Sequence, residues 1–278
     1  MEKIEFKVEE NIELGKALRK ALPLLSNYQI EKLFKDKDVK VNGVRKTKPC
    51  TLRKGDIVEA YFVVNNEPWC ETVFEDENVM VVSKRAGIEV TSEDDRNLLD
   101  ILRLSHNELY AVHRIDRNTQ GLVVFAKNTQ AESELLKAFK ERTIIKKYLL
   151  KVKGKVNIDA VKHKMYLKKF SENSKVLISE VKTSGYEEIV THFNLIKHLD
   201  NETVLEAELV TGKTHQIRAH IAYFGYPIVG DGKYGVGDNK MMCLTAYYMG
   251  FNFPKKSSLE YLNTQSFEIM PTWWEDHE

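Results

Sequence analysis

The sequence predicts an α+β protein, with a small basic helix-and-hairpin module preceding a larger domain built on a mainly antiparallel mixed sheet. Three observations carry this. Helix and strand signals are mixed without the regular βαβ order that builds a parallel sheet. An Asn42-Gly43 pair between two short alternating runs marks a hairpin near the start of the chain. A polar, proline-containing stretch, Asn65-Asn66-Glu67-Pro68-Trp69, lies between two regions of strand signal. It divides the chain into 1–63, a linker 64–72 and a domain 73–278.

Taken in order, Ile4, Phe6 and Val8 alternate with charge as a first strand. Leu14, Ala17, Leu18 and Ala21 have helical spacing, ended by Pro23. Ser26 or Asn27 can cap a second helix that buries Ile30, Leu33 and Phe34. After the hairpin, Leu52-Arg53-Lys54-Gly55-Asp56 turns the chain into a strand over 57–62. In the larger domain, 73–84 reads as two strands turning at 76–78, and 97–104 as a helix. Residues 109–112 and 122–126 are short apolar strands on either side of a charged loop. Thr129-x-x-Glu132 has the form of a capping box for a helix through Arg142, with Leu135, Leu136 and Phe139 inward. Residues 144–153 form a strand on which Tyr148, Leu150 and Val152 share a face. The lysine-rich 155–185 stretch is expected to hold strands and a long loop, and 190–195 and 203–209 are alternating strands. Thr214 is expected to cap a helix to Phe224, with Ile217, Ile221 and Phe224 on its core face and Gly225 closing it.

With 278 residues, 42% hydrophobic and 30% charged, the chain has enough core to fold without staples. Cys50, Cys70 and Cys243 are odd in number and far apart, which implies neither a disulfide framework nor a zinc site. No signal pattern or membrane-length apolar run occurs, so a cytoplasmic protein with no membrane partner is expected. The net charge is only +1, but it is unevenly spread. Residues 16–54 carry twelve Lys/Arg against three acids, and 137–155 carry eight against Glu141 alone. Such patches are solvated faces or defined contacts with a polyanion.

The charged loop reads His113-Arg114-Ile115-Asp116-Arg117-Asn118-Thr119-Gln120-Gly121. A carboxylate near the interior stays ionised only when paired or hydrogen-bonded. Arg114 and Arg117 flank Asp116 and are expected to supply that pairing. A fixed, ionised carboxylate suits a nucleophile or a general base; the same cluster also reads as a structural ion-pair knot under a turn. His215 and Arg218 fall three apart and project together near a helix start, which favours an anion. The plainer reading there is a capped surface helix. The glycine-dense loop 226–235 is neither a P-loop nor a dinucleotide fingerprint. An acidic nuclease or metal-dependent hydrolase would need clustered ligands, and Asp116 is the only carboxylate in the chemical loop.

Residues 14–62, with their basic Val39-Lys40-Val41-Asn42-Gly43 hairpin and Leu52-x-x-Gly55-Asp56-x-Val58 turn, resemble the S-four-like RNA-binding module, with Glu13-Leu14-Gly15-Lys16 departing from it at the first helix. That resemblance implies RNA contacts by Lys32, Lys35, Lys40, Arg45 and Lys46. The larger domain resembles the RluA family of RNA pseudouridine synthases. Its loop H-R-L-D-R-x-T-S-G-L stands here as His113 to Leu122, with Ile115 and Gln120 substituted. Its G-x-x-H-Q-I-R-x-H stands at Gly212 to His220, and its G-x-P-I-x-G-D-x-x-Y-G at Gly225 to Gly235. The family's V-x-K-P-x-G appears with Arg85 for Pro, and its Leu-His-Ala as Leu244-Thr245-Ala246. The resemblance implies isomerisation of uridine in RNA without cofactor or metal. Asp116 would be the essential carboxylate, as nucleophile or base, with Arg218 as its partner. Tyr148 would stack under the uracil and handle a proton, and Leu244 would pack on its other face. Arg114, which would fill the gap left by the flipped nucleotide, His215 and Arg117 would meet the substrate. Ribosomal RNA of the large subunit is the expected partner, transfer RNA the second choice, and a monomer the expected state. The alternative is an inactive RNA-binding assembly factor on the same fold.

Overall fold

A computed structural model describes residues 2–22, 25, 27–62, 68–92, 97–169, 175–235 and 241–277. Pro23, the capping candidate Ser26 and linker residues 65–67 lie outside them. Leaving aside 92–96, the chain forms two compact units, one through Pro68 and one from Trp69.

The first unit contains β1 (Glu2–Lys7), β2 (Ile12–Glu13), α1 (Leu14–Ala21), α2 (Asn27–Lys35), β3 (Val39–Val41), β4 (Val44–Lys46), β5 (Thr51–Leu52) and β6 (Ile57–Phe62). Its antiparallel sheet runs β1-β6-β3-β4, with β2 paired to β5. Asn42 and Gly43 both take positive φ, 49° and 76°, as a two-residue hairpin of this twist requires. The Asn42 side chain accepts from Ile57 N and donates to Asp56 Oδ1, both at 2.9 Å. The hairpin and the Gly55-Asp56 turn are therefore one hydrogen-bonded unit. Glu13 caps α1 by accepting from Gly15 N and Lys16 N.

The second unit contains β7 (Cys70–Glu75), β8 (Val79–Lys84), α3 (Leu98–Leu102), β9 (Tyr110–Ala111), β10 (Gln120–Ala126), α4 (Thr129–Glu141), β11 (Ile145–Lys153), β12 (Lys164–Lys169), β13 (Val176–Ser179), β14 (Glu187–His198), β15 (Glu202–Leu209), α5 (Gln216–Tyr223), β16 (Leu244–Gly250) and β17 (Ser266–Glu268). Eleven strands form one sheet, ordered β13-β12-β14-β15-β11-β16-β10-β8-β7, with β9 beside β10 and β17 beside β16. Among these pairings only β10 and β16 run parallel. The fold is α+β on a mixed, mostly antiparallel sheet.

Residues 79–82 of β8 and 122–126 of β10 are continuous apolar runs because both of their faces are covered. Met80, Val82, Val123 and Phe125 join one core with Tyr148, Leu150, Val152 and α5. Val79, Val81, Leu122 and Val124 join a second core with α4 and Phe267.

Three local expectations are corrected. The cap of α4 is Asn128, whose side chain accepts from Ala131 N at 2.8 Å, so Thr129 is already inside the helix and no capping box forms. The buried stripe of α4 is then Ala131, Leu135 and Ala138, and Leu136 falls off it, 46% exposed. α5 begins at Gln216 rather than after a Thr214 cap; His215 precedes it at φ 55° without a side-chain cap bond. Buried Gln216 ties that turn instead. Its oxygen accepts from Thr211 Oγ1 and Lys213 N, and its amide donates to Val190 O and Thr191 Oγ1.

Candidate active site

The sheet register brings four chain segments to one place. Gly121, at the end of the charged loop, lies opposite Ala246 on β16. Ala246 in turn lies opposite Tyr148 on β11, which faces Ala207 on β15. This close approach requires glycine at 121: its φ is 122°, and a Cβ there would sit 2.3 Å from Ala246 O.

The loop is clamped from below by Lys84, the last residue of β8 and only 1% exposed. Its ammonium donates to Arg85 O at 2.9 Å, Ile88 O at 2.8 Å and Arg117 O at 3.1 Å. Burial pulls the amine down to about 7, against the attraction of Asp116 and Glu89. Three carbonyl acceptors nevertheless call for three N–H donors, which only the ammonium has. Arg117 adds a second clamp, its Nε donating to Gly87 O at 3.0 Å while its own carbonyl accepts from Gly87 N at 2.8 Å, and Thr119 N closes the turn onto Asp116 O at 3.1 Å. His113 is stacked on Phe139 and accepts from Val124 N at 2.9 Å. Burial, with Lys146 adding to it, pushes its pKa down to about 3, so it is neutral.

The cation that pairs with Asp116 is neither of its loop neighbours. Arg114 points to Glu89 at 3.7 Å and is 58% exposed, and Arg117 is spent on Gly87. Arg218, from α5, donates through Nη1 to Asp116 Oδ2 at 2.9 Å. The same guanidinium grips Asp231 with its other edge, Nε to Oδ2 at 2.8 Å and Nη2 to Oδ1 at 2.9 Å. Asp231 is fully buried and also accepts from Lys233 N and Tyr234 N. Burial opposes its charge, but the Arg218 bonds outweigh it and hold the carboxyl below its ordinary value. Burial likewise opposes the charge on Arg218, and Asp231 and then Asp116 more than reverse it. Arg218 is thus a fixed bridge between a buried anchor and a carboxylate that is 23% exposed.

His215 stands 3.9 Å from Asp116 Oδ2 through Nε2. Tyr234 Oη accepts from Val176 N at 3.0 Å and is hydrogen-bonded to His215 Nδ1, also at 3.0 Å. Burial lowers the His215 pKa, Asp116 opposing. Tyr148 is 8% exposed. Burial, then the Asp116 charge, raises its phenol above the usual range, so in the resting site it keeps its proton.

Asp116, Tyr148, Arg218, Leu244, His215 and the two loop arginines all line a single cavity of about 800 Å³, of a size that holds a small organic ligand. Lys32, Lys35, Lys40, Arg45 and Lys46 belong to the first unit. There the lysines of α2 and Arg45 are exposed, and Lys40 lies over the Tyr61 ring at 5.1 Å. The sequence reading gave no role to Lys84, Asp231, Tyr234 or Lys146. Lys84, Asp231 and Tyr234 did carry a signal, their places in the V-x-K-P-x-G and G-x-P-I-x-G-D-x-x-Y-G motifs.

Residues 78–223 match the family described as RNA pseudouridylate synthase. An uncharacterized RNA pseudouridine synthase of Aquifex aeolicus is 32% identical over 99% of this chain and 98% of its own length. A ribosomal large subunit pseudouridine synthase C of Rickettsia felis is 29% identical, covering 85% of each chain. A solved structure, human RNA pseudouridylate synthase domain containing 1, shares the fold with TM-score 0.57 at 22% identity, over 73% of this chain and 82% of that one. The family match and these relatives make the chain an RNA pseudouridine synthase, an isomerase of uridine in RNA. The chain belongs to the RluA family of RNA pseudouridine synthases.

Proposed function

We propose that Asp116 is the carboxylate on which isomerisation turns, and that the substrate is a uridine in structured RNA, large-subunit ribosomal RNA before transfer RNA. The observation that carries this is the 2.9 Å contact from Arg218 to Asp116 inside a cavity that Tyr148 and Leu244 also line. In the reaction the N1–C1′ bond breaks, the uracil turns, and a C5–C1′ bond forms. The proton on C5 is lost and N1 gains one, so atoms balance without a co-reactant. Asp116 acts as nucleophile at the sugar or as base, and both need a carboxylate aimed and held still.

A stacked base cannot be turned over, so the uridine must leave its stack and enter the cavity. Tyr148 then offers an aromatic face and Leu244 an apolar one, between which a pyrimidine can be held. The exposed Arg114 at the mouth is long enough to occupy the space the nucleotide leaves. Lys32, Lys35, Lys40, Arg45 and Lys46 give the first unit a concentration of positive charge suited to an RNA backbone. The Rickettsia felis relative is named for the ribosomal large subunit, and a yeast relative, 30% identical, is a tRNA pseudouridine(31) synthase. On this reading the protein works as a cytoplasmic monomer.

The test is tritium release from RNA labelled at uridine C5, prepared from cells lacking this gene, with wild type beside Asp116→Asn. Wild type is expected to release tritium and Asp116→Asn to release none while still binding RNA. Residual turnover above about a tenth of wild type would sink the assignment of Asp116.

A further inference from the structure

The cavity holds a cation that the chemistry at Asp116 does not use. Lys146 stands two residues before Tyr148 on β11. The register of β11 against β16 shifts between Lys147 and Tyr148, but the extra residue, Tyr247, lies on β16. β11 therefore keeps its alternation, and Lys146 and Tyr148 leave the same face about 7 Å apart. Both line the cavity.

The Lys146 ammonium lies 5.6 Å from the centre of the Phe139 ring, and a Cβ on Gly212 would come within 3.6 Å of it. It is thus wedged between the end of α4 and the loop that leads into α5. Among the described residues it makes no ion pair. Burial, and then the Arg142 guanidinium, push its amine below the ordinary value. Arg142, at the C-terminal cap of α4, is exposed to solvent. Lys213, on the same rim, is paired with Glu187. Lys146 alone in this group is partly buried, positive and without an anion. Such a charge is costly unless something supplies the counter-charge.

Given the reading of the site as one that accepts a flipped uridine, we infer that Lys146, widened by Arg142, is a phosphate subsite for the RNA backbone at that nucleotide. A uracil stacked on Tyr148 leaves its own sugar-phosphate within a single strand step of the ammonium. A phosphate there supplies the counter-charge and holds the nucleotide in its extruded form. Lys146 acts on the substrate backbone and touches no reacting atom, so its effect belongs in binding rather than in the chemical step.

The experiment measures kcat and KM for tritium release from the same C5-labelled total RNA over a series of potassium chloride concentrations. It uses the full chain as wild type, Lys146→Gln and Lys146→Arg. For Lys146→Gln the expected result is a rise in KM of about tenfold with kcat within about twofold. The slope of log(kcat/KM) against log salt should also become shallower by about 0.7, the loss of one phosphate contact to a single strand. Lys146→Arg should restore the slope. A Lys146→Gln slope equal to wild type overturns the subsite, and so does a loss confined to kcat, which would put the ammonium on the base or in the fold. Wild type that releases no tritium overturns the reaction reading itself. In that case the slopes are read on filter-retained RNA binding, where equal slopes again sink the subsite.

Discussion

Replacing Asp231 with asparagine tests whether the aim of Asp116 depends on a residue that never meets the substrate. In the wild-type site Oδ1 of Asp231 accepts three bonds, from Arg218 Nη2, Lys233 N and Tyr234 N, and Oδ2 accepts one from Arg218 Nε. An asparagine must keep its oxygen at the three-donor position. Its NH₂ then faces the Nε–H of Arg218, donor against donor, 2.8 Å away in the present geometry. Breaking a buried pair costs roughly 3–5 kcal/mol, and the lower end applies here because Asp116 remains as a counter-charge for Arg218. For a domain of this size that is a fall in melting temperature of roughly 6–12 °C. All three tryptophans, Trp69, Trp273 and Trp274, lie in the second unit, so their fluorescence reads its unfolding alone. The guanidinium, released on one edge, must swing about its remaining contact with Asp116. A displacement of about 1 Å at a reacting group costs on the order of 100-fold in rate. Single-turnover tritium release by Asp231→Asn should therefore drop about 100-fold, with RNA affinity within about threefold of wild type. A variant that melts early but turns over within about threefold of wild type would show Asp231 to be an anchor for the fold only.

Two further outcomes follow from packing and from protonation. Gly121→Ala puts a Cβ against the backbone of Ala246 at a φ of 122°, so the parallel β10–β16 pairing must open. A loss above about 4 kcal/mol, or no soluble protein, is expected. Gly232→Ala, which meets nothing within 4 Å, should stay within about 0.5 kcal/mol of wild type; equal denaturant midpoints for both variants would refute the contact argument. His113, whose pKa falls from 6.5 to about 3 on folding, must be neutral to accept from Val124 N. The folded state then binds fewer protons than the unfolded state between those values. The stability is complete above pH 6.5 and is lost as pH falls towards 3, at about 1.4 kcal/mol per pH unit. Urea midpoints of His113→Gln should fall less steeply with acid than those of wild type, and parallel curves would contradict it.

Much of the local structure was legible in the sequence because it depends on neighbours along the chain. The Asn42-Gly43 turn follows from two residues that tolerate positive φ, and the shared face of Tyr148, Leu150 and Val152 from the two-residue period of a strand. The motifs around Asp116, His215 and Arg218 also marked which residues would line the cavity. Helix starts were less legible. Thr129 and Thr214 looked like caps, but capping depends on a single φ/ψ pair. Asn128 and the Gln216 hydrogen bonds decided it in each case.

The partner of Asp116 shows where the reading of neighbours along the chain stops. Arg114 and Arg117, close in sequence, were the local candidates, and the structure turns one to Glu89 and the other to Gly87. Among the described residues one hydrogen bond reaches the carboxylate from a guanidinium, and it comes from 102 residues along the chain. Composition, strand period and turn chemistry by themselves determined an α+β chain with a basic N-terminal module and a carboxylate-bearing loop between buried strands. The tertiary structure alone decided that Asp231 holds Arg218, that Lys84 cages the loop, and that Lys146 has no ion pair among the described residues. The physical reason is range. Propensity and periodicity act over a few residues, whereas a buried charge is satisfied by whatever donor the packed sheet and helix bring to it, at any separation in sequence.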